Sequence, residues 1–199
     1  MKIGLLADCI RLLPPAELEI GVSYLAGSLP QGRIGVGFVV VQQVLKTPAA
    51  SAPTLTLGEV DAAFTRLLQT TGKGSAGERR TQLSSLFSQA TRAEQDFLAR
   101  LAIGELRQGA LEGIVLEAIA RAVAGTADDT RRAVMLAGHI APVARAALTE
   151  GISGLKRFRL ELLKPVQPML AQSADQRVAP SGSLFTLLLL ALIVLDLLR

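Results

Sequence analysis

The chain has 199 residues, half of them hydrophobic by count, which suits one core-forming domain with a short extension, or two small ones. Six Phe, one Tyr and no Trp leave that core to Leu, Ala, Val and Ile, as in a helical bundle, and one Cys with one His exclude an internal disulfide and a Cys/His zinc site within a single chain. The 21 Lys and Arg against 17 Asp and Glu give a net charge of +4, which permits a polyanionic partner without demanding one.

The start, "MKIGLLADCIRLLPP", carries Asp8 and Arg11 inside its apolar run and no small-residue cleavage site. It reads as an amphipathic helix over 3–13 closed by Pro14 and Pro15, not as a signal peptide, so a cytoplasmic location is expected. A second helical segment, "AELEIGVSYLAGSL", follows. In "PQGRIGVGFVVVQQVLK" the run Val36 to Val41 has β propensity but no strand to pair with, so a buried helix is predicted. Residues 47–54, "TPAASAPT", are a loop. Thr56 with Glu59, Ser75 with Glu78 and Thr91 with Glu94 each match the S/T-x-x-E capping box, and Thr126 with Asp129 is a poorer signal of the same type. Helices are therefore expected near 57–70, 76–90, 92–103, 109–124 and 129–150, with Gly125 and Gly151 as stops. His139, inside the last of these, reads as an ordinary surface or interface histidine. Between two of the helices, "TTGKGSAGERR" (70–80) is glycine-rich and basic, but the G-x-x-x-x-G-K-[ST] spacing is absent and no strand leads in. It reads as a positively charged surface loop able to contact phosphates.

Two short stretches repeat. "GSLPQG" (27–32) and "GELRQG" (104–109) both read G-x-L-x-Q-G, each between two apolar runs. A fainter copy, "MLAGHIAPVA", shares only the Leu-Ala-Gly entry. The pattern predicts a helix–turn–helix unit used twice, the first Gly ending one helix in the left-handed conformation and the second standing where the next begins. Unpaired amides and the positive end of the helix dipole at such a start suit an anionic oxygen, and Arg33 and Arg107 would add guanidinium forks. The same glycines also fit a second reading, close helix–helix packing. Spacing alone leaves both open.

The run "EQDFLARLAIGELRQGALEGIVLEAIARA" (94–122) closely resembles the N-terminal DNA-binding domain of ATP-dependent DNA ligases of the bacterial and archaeal type. The blocks "IGVSYLAGSLPQGRIGVGF", "GKGSAGERRTQLSSLFSQAT", "RRAVMLAGHIAPVARAAL" and "KPVQPMLAQS" extend the resemblance, in order, from about residue 3 to 176. It implies an all-α, multi-helix domain with two pseudo-symmetric helix–turn–helix units, lying on the minor-groove side of nicked duplex DNA and binding mainly its backbone. Carried over by motif, the implied phosphate contacts are Gly32 and Arg33 in the first turn, Gly104, Arg107, Gln108 and Gly109 in the second, and Lys73, Gly74 and Ser75 in the basic loop.

Members of that family continue into a nucleotidyltransferase domain, whose adenylated lysine sits in a K-x-D-G motif, and then an OB-fold domain. No K-x-D-G occurs in this sequence, and its last lysine, Lys164, is followed by Pro-Val-Gln. The front also reads as about one helix short of the family. The expectation is a domain over 1–163, a linker over 164–183, and an apolar helix over 184–199 that does not resemble the family. The apolar run Leu184 to Leu195, stopped by Asp196, is shorter than a membrane span. It reads as the product of a truncated or frame-shifted gene, as a packing helix, or as a short tail anchor, in that order. The expected function is non-sequence-specific binding of nicked duplex DNA, on the nucleoid, as the N-terminal module of a ligase acting in repair, replication and recombination. The chain itself is expected to be without ligase activity. ATP and Mg²⁺ would belong to the missing catalytic domain, and no cofactor is expected in this chain; the expected partners are duplex DNA and a separately encoded catalytic region, and a membrane partner is disfavoured. The alternative is a helical protein-interaction or membrane-associated scaffold that has lost DNA binding.

Overall fold

The structure is a computed structural model that describes residues 2–106, 109–162 and 166. The described residues form ten α-helices and no strand. They are α1 (Lys2–Leu12), α2 (Leu18–Leu25), α3 (Phe38–Val44), α4 (Leu57–Gln69), α5 (Ser75–Gln89), α6 (Arg92–Ala102), α7 (Gly109–Ala122), α8 (Ala127–Ala137), α9 (Ile140–Glu150) and α10 (Ile152–Lys156). The all-α expectation is met. The expected linker and apolar tail lie outside the described residues, apart from Val166.

One continuous core runs through the bundle, built from Leu, Ala, Val and Ile with Tyr24, Phe64, Phe87 and Phe97 as its aromatic members. Helix α2 is its hub. Six of its eight residues are buried, and it packs on α1, α4, α7 and α9. Tyr24 sets its ring edge-on against Phe64 of α4, with centroids 6.3 Å apart. Helix α7 lies along α1, α8 and α9. Arg11 locks α1 to it by donating to the carbonyls of Arg121 and Ala122 in the last turn of α7. Gly154 lets α10 close on α9, since a Cβ there would stand 2.2 Å from the Ala146 carbonyl oxygen. Burial pushes the Cys9 thiol up to about 11, so it stays protonated and unreactive at neutral pH.

The start signals hold where both halves of the box are present. Thr56–Glu59 and Thr91–Glu94 form complete capping boxes, and the Thr126 hydroxyl accepts from the Asp129 amide to open α8. Ser75–Glu78 does not. Ser75 is already helical, Gly74 is the N-cap at φ +88°, and Glu78 instead accepts from Gln82 one turn on. The helix expected over 129–150 is two helices, broken at Gly138 (φ +80°), with His139 as the exposed N-cap of α9. Pro142 sits in the first turn of α9, where its missing N–H costs no intrahelical bond. The predicted buried helix at Val36–Val41 is half right: α3 begins only at Phe38, and it buries Val41 and Val44 while Phe38 and Val39 face outward.

Candidate nucleic-acid interface

Helices α2 and α6 end in the same way. In the first, the Gly27 amide donates to the Tyr24 carbonyl and the Ser28 amide to that of Ser23. In the second, Gly104 donates to Leu101 and Glu105 to Arg100, the same two spacings. Each is a Schellman ending, and Gly27 (φ +73°) and Gly104 (φ +77°) take the left-handed conformation it requires. The helix–turn–helix units therefore match at their entries. They differ at their exits. Gly109 heads α7, whereas Gly32 (φ +70°) lies in a loop six residues ahead of α3.

The two bends touch. A Cβ on Gly27 would stand 2.3 Å from the Leu106 carbonyl oxygen, so the first bend is pressed on the backbone of the second. Gly104 and Gly32 are the opposite case, exposed, with nothing within 4 Å of an added Cβ. Gly27 thus serves packing, while Gly32 and Gly104 are open backbone; Gly32 does not stand at a helix start as the repeat predicted.

The bends face a single cleft of about 650 Å³, with Gly27–Leu29 and Gly32–Phe38 on one side and Leu101–Glu105 on the other. Along one wall, "RIGVG" alternates: Ile34 is buried and Val36 half-buried, turning Arg33, Gly35 and Gly37 outward. The loop is held from behind by Gln31, whose amide donates to Asp61 at 2.7 Å and to Thr65 at 3.0 Å on α4. Tyr24 donates to the same carboxylate at 3.5 Å, and burial first, then the Asp61 charge, push its hydroxyl well above the usual phenol value. Arg79 of α5 donates to the Leu67 and Gly35 carbonyls, which brings a cation against the back of the strip.

Of the residues singled out in the sequence, Gly32, Arg33 and Gly104 meet at this cleft. Arg33 is exposed and in no salt bridge among the described residues. Lys73, Gly74 and Ser75 do not line it. Lys73 and the N-cap Gly74 lead into α5, which Ser75 begins, four residues before Arg79 on the same helix face and about one 5.4 Å turn away. Arg107 and Gln108 lie outside the described residues, and of Gly109 only its place at the head of α7 is described. Sequence reasoning missed Gln31 and Arg79 as loop anchors, although Gln31 is the glutamine that both G-x-L-x-Q-G copies share.

Charge separates this cleft from its neighbour. On the other side of the Ser28–Gly32 loop a second cavity of about 510 Å³ holds Glu19, Asp61 and Glu112 with His139. The first cleft carries Arg33, with Glu105 as the only carboxylate in its lining. The first lining balances one cation against one carboxylate, whereas the second is the more acidic even with Glu19 paired to Arg145, and disfavours an anion.

A family described as DNA ligase N terminus matches residues 35–120, from the strip through α3 to α6, the second bend and most of α7. A probable DNA ligase of Anaeromyxobacter sp. (strain Fw109-5) is 55% identical over 185 residues, covering 91% of this chain and 36% of the relative. A probable DNA ligase of Sorangium cellulosum (strain So ce56) is 51% identical over 184 residues, 92% of this chain and 34% of the relative. One of Rhodococcus jostii (strain RHA1) is 43% identical over 175 residues, 88% and 35% respectively. The chain spans about a third of the length of these curated relatives.

Proposed function

The chain belongs to the DNA ligase family through the N-terminal region that it matches, and from that premise we propose that it binds duplex DNA, nicked duplex in particular, through the phosphate backbone. The supporting observation is the shared cleft, where two identical helix endings bring exposed backbone at Gly32 and Gly104 and the unpaired Arg33 to one opening. Backbone amides and guanidinium groups fix a protein on a duplex without reading its sequence. The module would grip DNA for a ligation reaction whose nucleotidyl transfer is carried by other residues, since no K-x-D-G occurs in this sequence. ATP and Mg²⁺ stay with that chemistry, and no step here runs through them. Among the described residues no helix is long and apolar enough to cross a membrane.

Fluorescence anisotropy with nicked and intact duplexes of unrelated sequence, titrated across salt, tests the proposal. About six phosphate contacts give a log–log salt slope near −5. Arg33→Ala should weaken binding to all sequences alike and flatten the slope by about one unit. If the variant bound like the parent at every salt concentration, Arg33 would not be a phosphate contact.

A further inference from the structure

Phe38 and Val39 are two large apolar residues side by side on the first turn of α3, 58% and 66% exposed. The helix has an inward face, Val41 and Val44, already packed in the core, so the outward pair contributes nothing to it. Single exposed hydrophobics are ordinary, but this pair is adjacent and continuous with the cleft: Phe38 itself lines it, five residues from Arg33. At that end the lining is Val36, Gly37 and Phe38, without a polar side chain.

A strand whose phosphates lie against Arg33 and the exposed backbone of the cleft brings its sugars to the neighbouring rim. Deoxyribose presents C–H groups there. Ribose presents a 2′-hydroxyl, which would lose its water against the Phe38 and Val39 side chains and meet no polar side chain among Val36, Gly37 and Phe38. Resting on the DNA-binding reading above, we propose that Phe38 and Val39 form an apolar rim that packs on the sugars of the bound strand and selects deoxyribose over ribose. The positive charge of Arg33 and of Arg79 behind the strip suits the phosphates between those sugars, and the rim adds a contact that salt does not screen.

The test compares the parent, Phe38→Ser/Val39→Ser and Phe38→Leu/Val39→Ile. Probes are a nicked DNA duplex and the same duplex carrying scattered single ribonucleotides, which keeps the helix form close to that of DNA. Binding is measured at several salt concentrations. The parent is expected to prefer the all-DNA probe at least threefold. The serine variant should lose about tenfold in affinity for DNA and bind both probes equally, with the parent's salt slope, while the Leu/Ile variant keeps the preference. Unchanged affinity and preference in the serine variant overturn the rim and leave DNA binding standing. A parent that binds neither probe in a salt-dependent way overturns the DNA reading and the rim with it. Thermal melting of each variant checks that the fold is intact, as substitution at two exposed positions should leave it.

Discussion

Gly27 and Gly104 hold the same place in the same motif, yet the structure asks different things of them. Both have positive φ, so alanine at either costs about 1 kcal/mol in backbone strain. Only at Gly27 does a Cβ also run into the Leu106 backbone. Backbone cannot swing aside as a side chain tip can, so the overlap adds about 1–3 kcal/mol. Urea unfolding should therefore show Gly27→Ala destabilised by about 2–4 kcal/mol and Gly104→Ala by about 1. Equal losses would mean that the two bends do not press on one another. The sequence marked both glycines and assigned them left-handed backbone. It could not assign the packing role to one and the open role to the other, because that depends on a contact between residues 79 positions apart. Arg79 was hidden for the same reason: nothing local to "GERR" says that its first arginine reaches Gly35.

At the scale of the element, starts were more legible than stops. Thr56–Glu59 and Thr91–Glu94 act within four residues, so their hydrogen bonds can be read from the chain. Ser75–Glu78 has the same letters, but Gly74 before it takes the N-cap in a left-handed conformation and turns Ser75 into the first helical residue. The break at Gly138 was signalled by the Leu-Ala-Gly entry and by Pro142, each weak alone. The end of α7 was expected at Gly125, but the left-handed residue is Ala124, at φ +53°. Its amide donates to Arg121 and that of Gly125 to Ala120, repeating the spacings at Gly27 and Gly104. Alanine is strained there and glycine would not be. Ala124→Gly should raise stability by about 0.5–1 kcal/mol after the extra freedom of glycine in the unfolded chain is subtracted. Equilibrium denaturation measures this directly. A loss of stability would show that the α7 ending does not need a left-handed residue at that position.

Across the whole molecule, helix-rich composition and capping were enough to anticipate an all-α body. The arrangement of the site needed the fold. Helix α2 carries the first bend and α6 the second, and the core between them sets the two against each other rather than on opposite sides. Gln31 then ties the first bend to α4, and Arg79 ties the strip beyond it to α5, so that the cleft wall is braced by two further helices. The acidic cavity beyond the Ser28–Gly32 loop gives the surface a polarity that the mild net charge of the chain did not show. Lys73 and Gly74 lead into α5, whose first residue, Ser75, lies one helical turn before Arg79.

Both bends serving one polyanion is the claim on which the function rests, and backbone amide NMR during titration with a nicked duplex tests it most directly. Amides of residues 32–37 and of Gly104 and Glu105 should shift together, with one apparent affinity that weakens in parallel as salt is raised. Shifts confined to one bend, or two bends titrating with separate affinities, would contradict it.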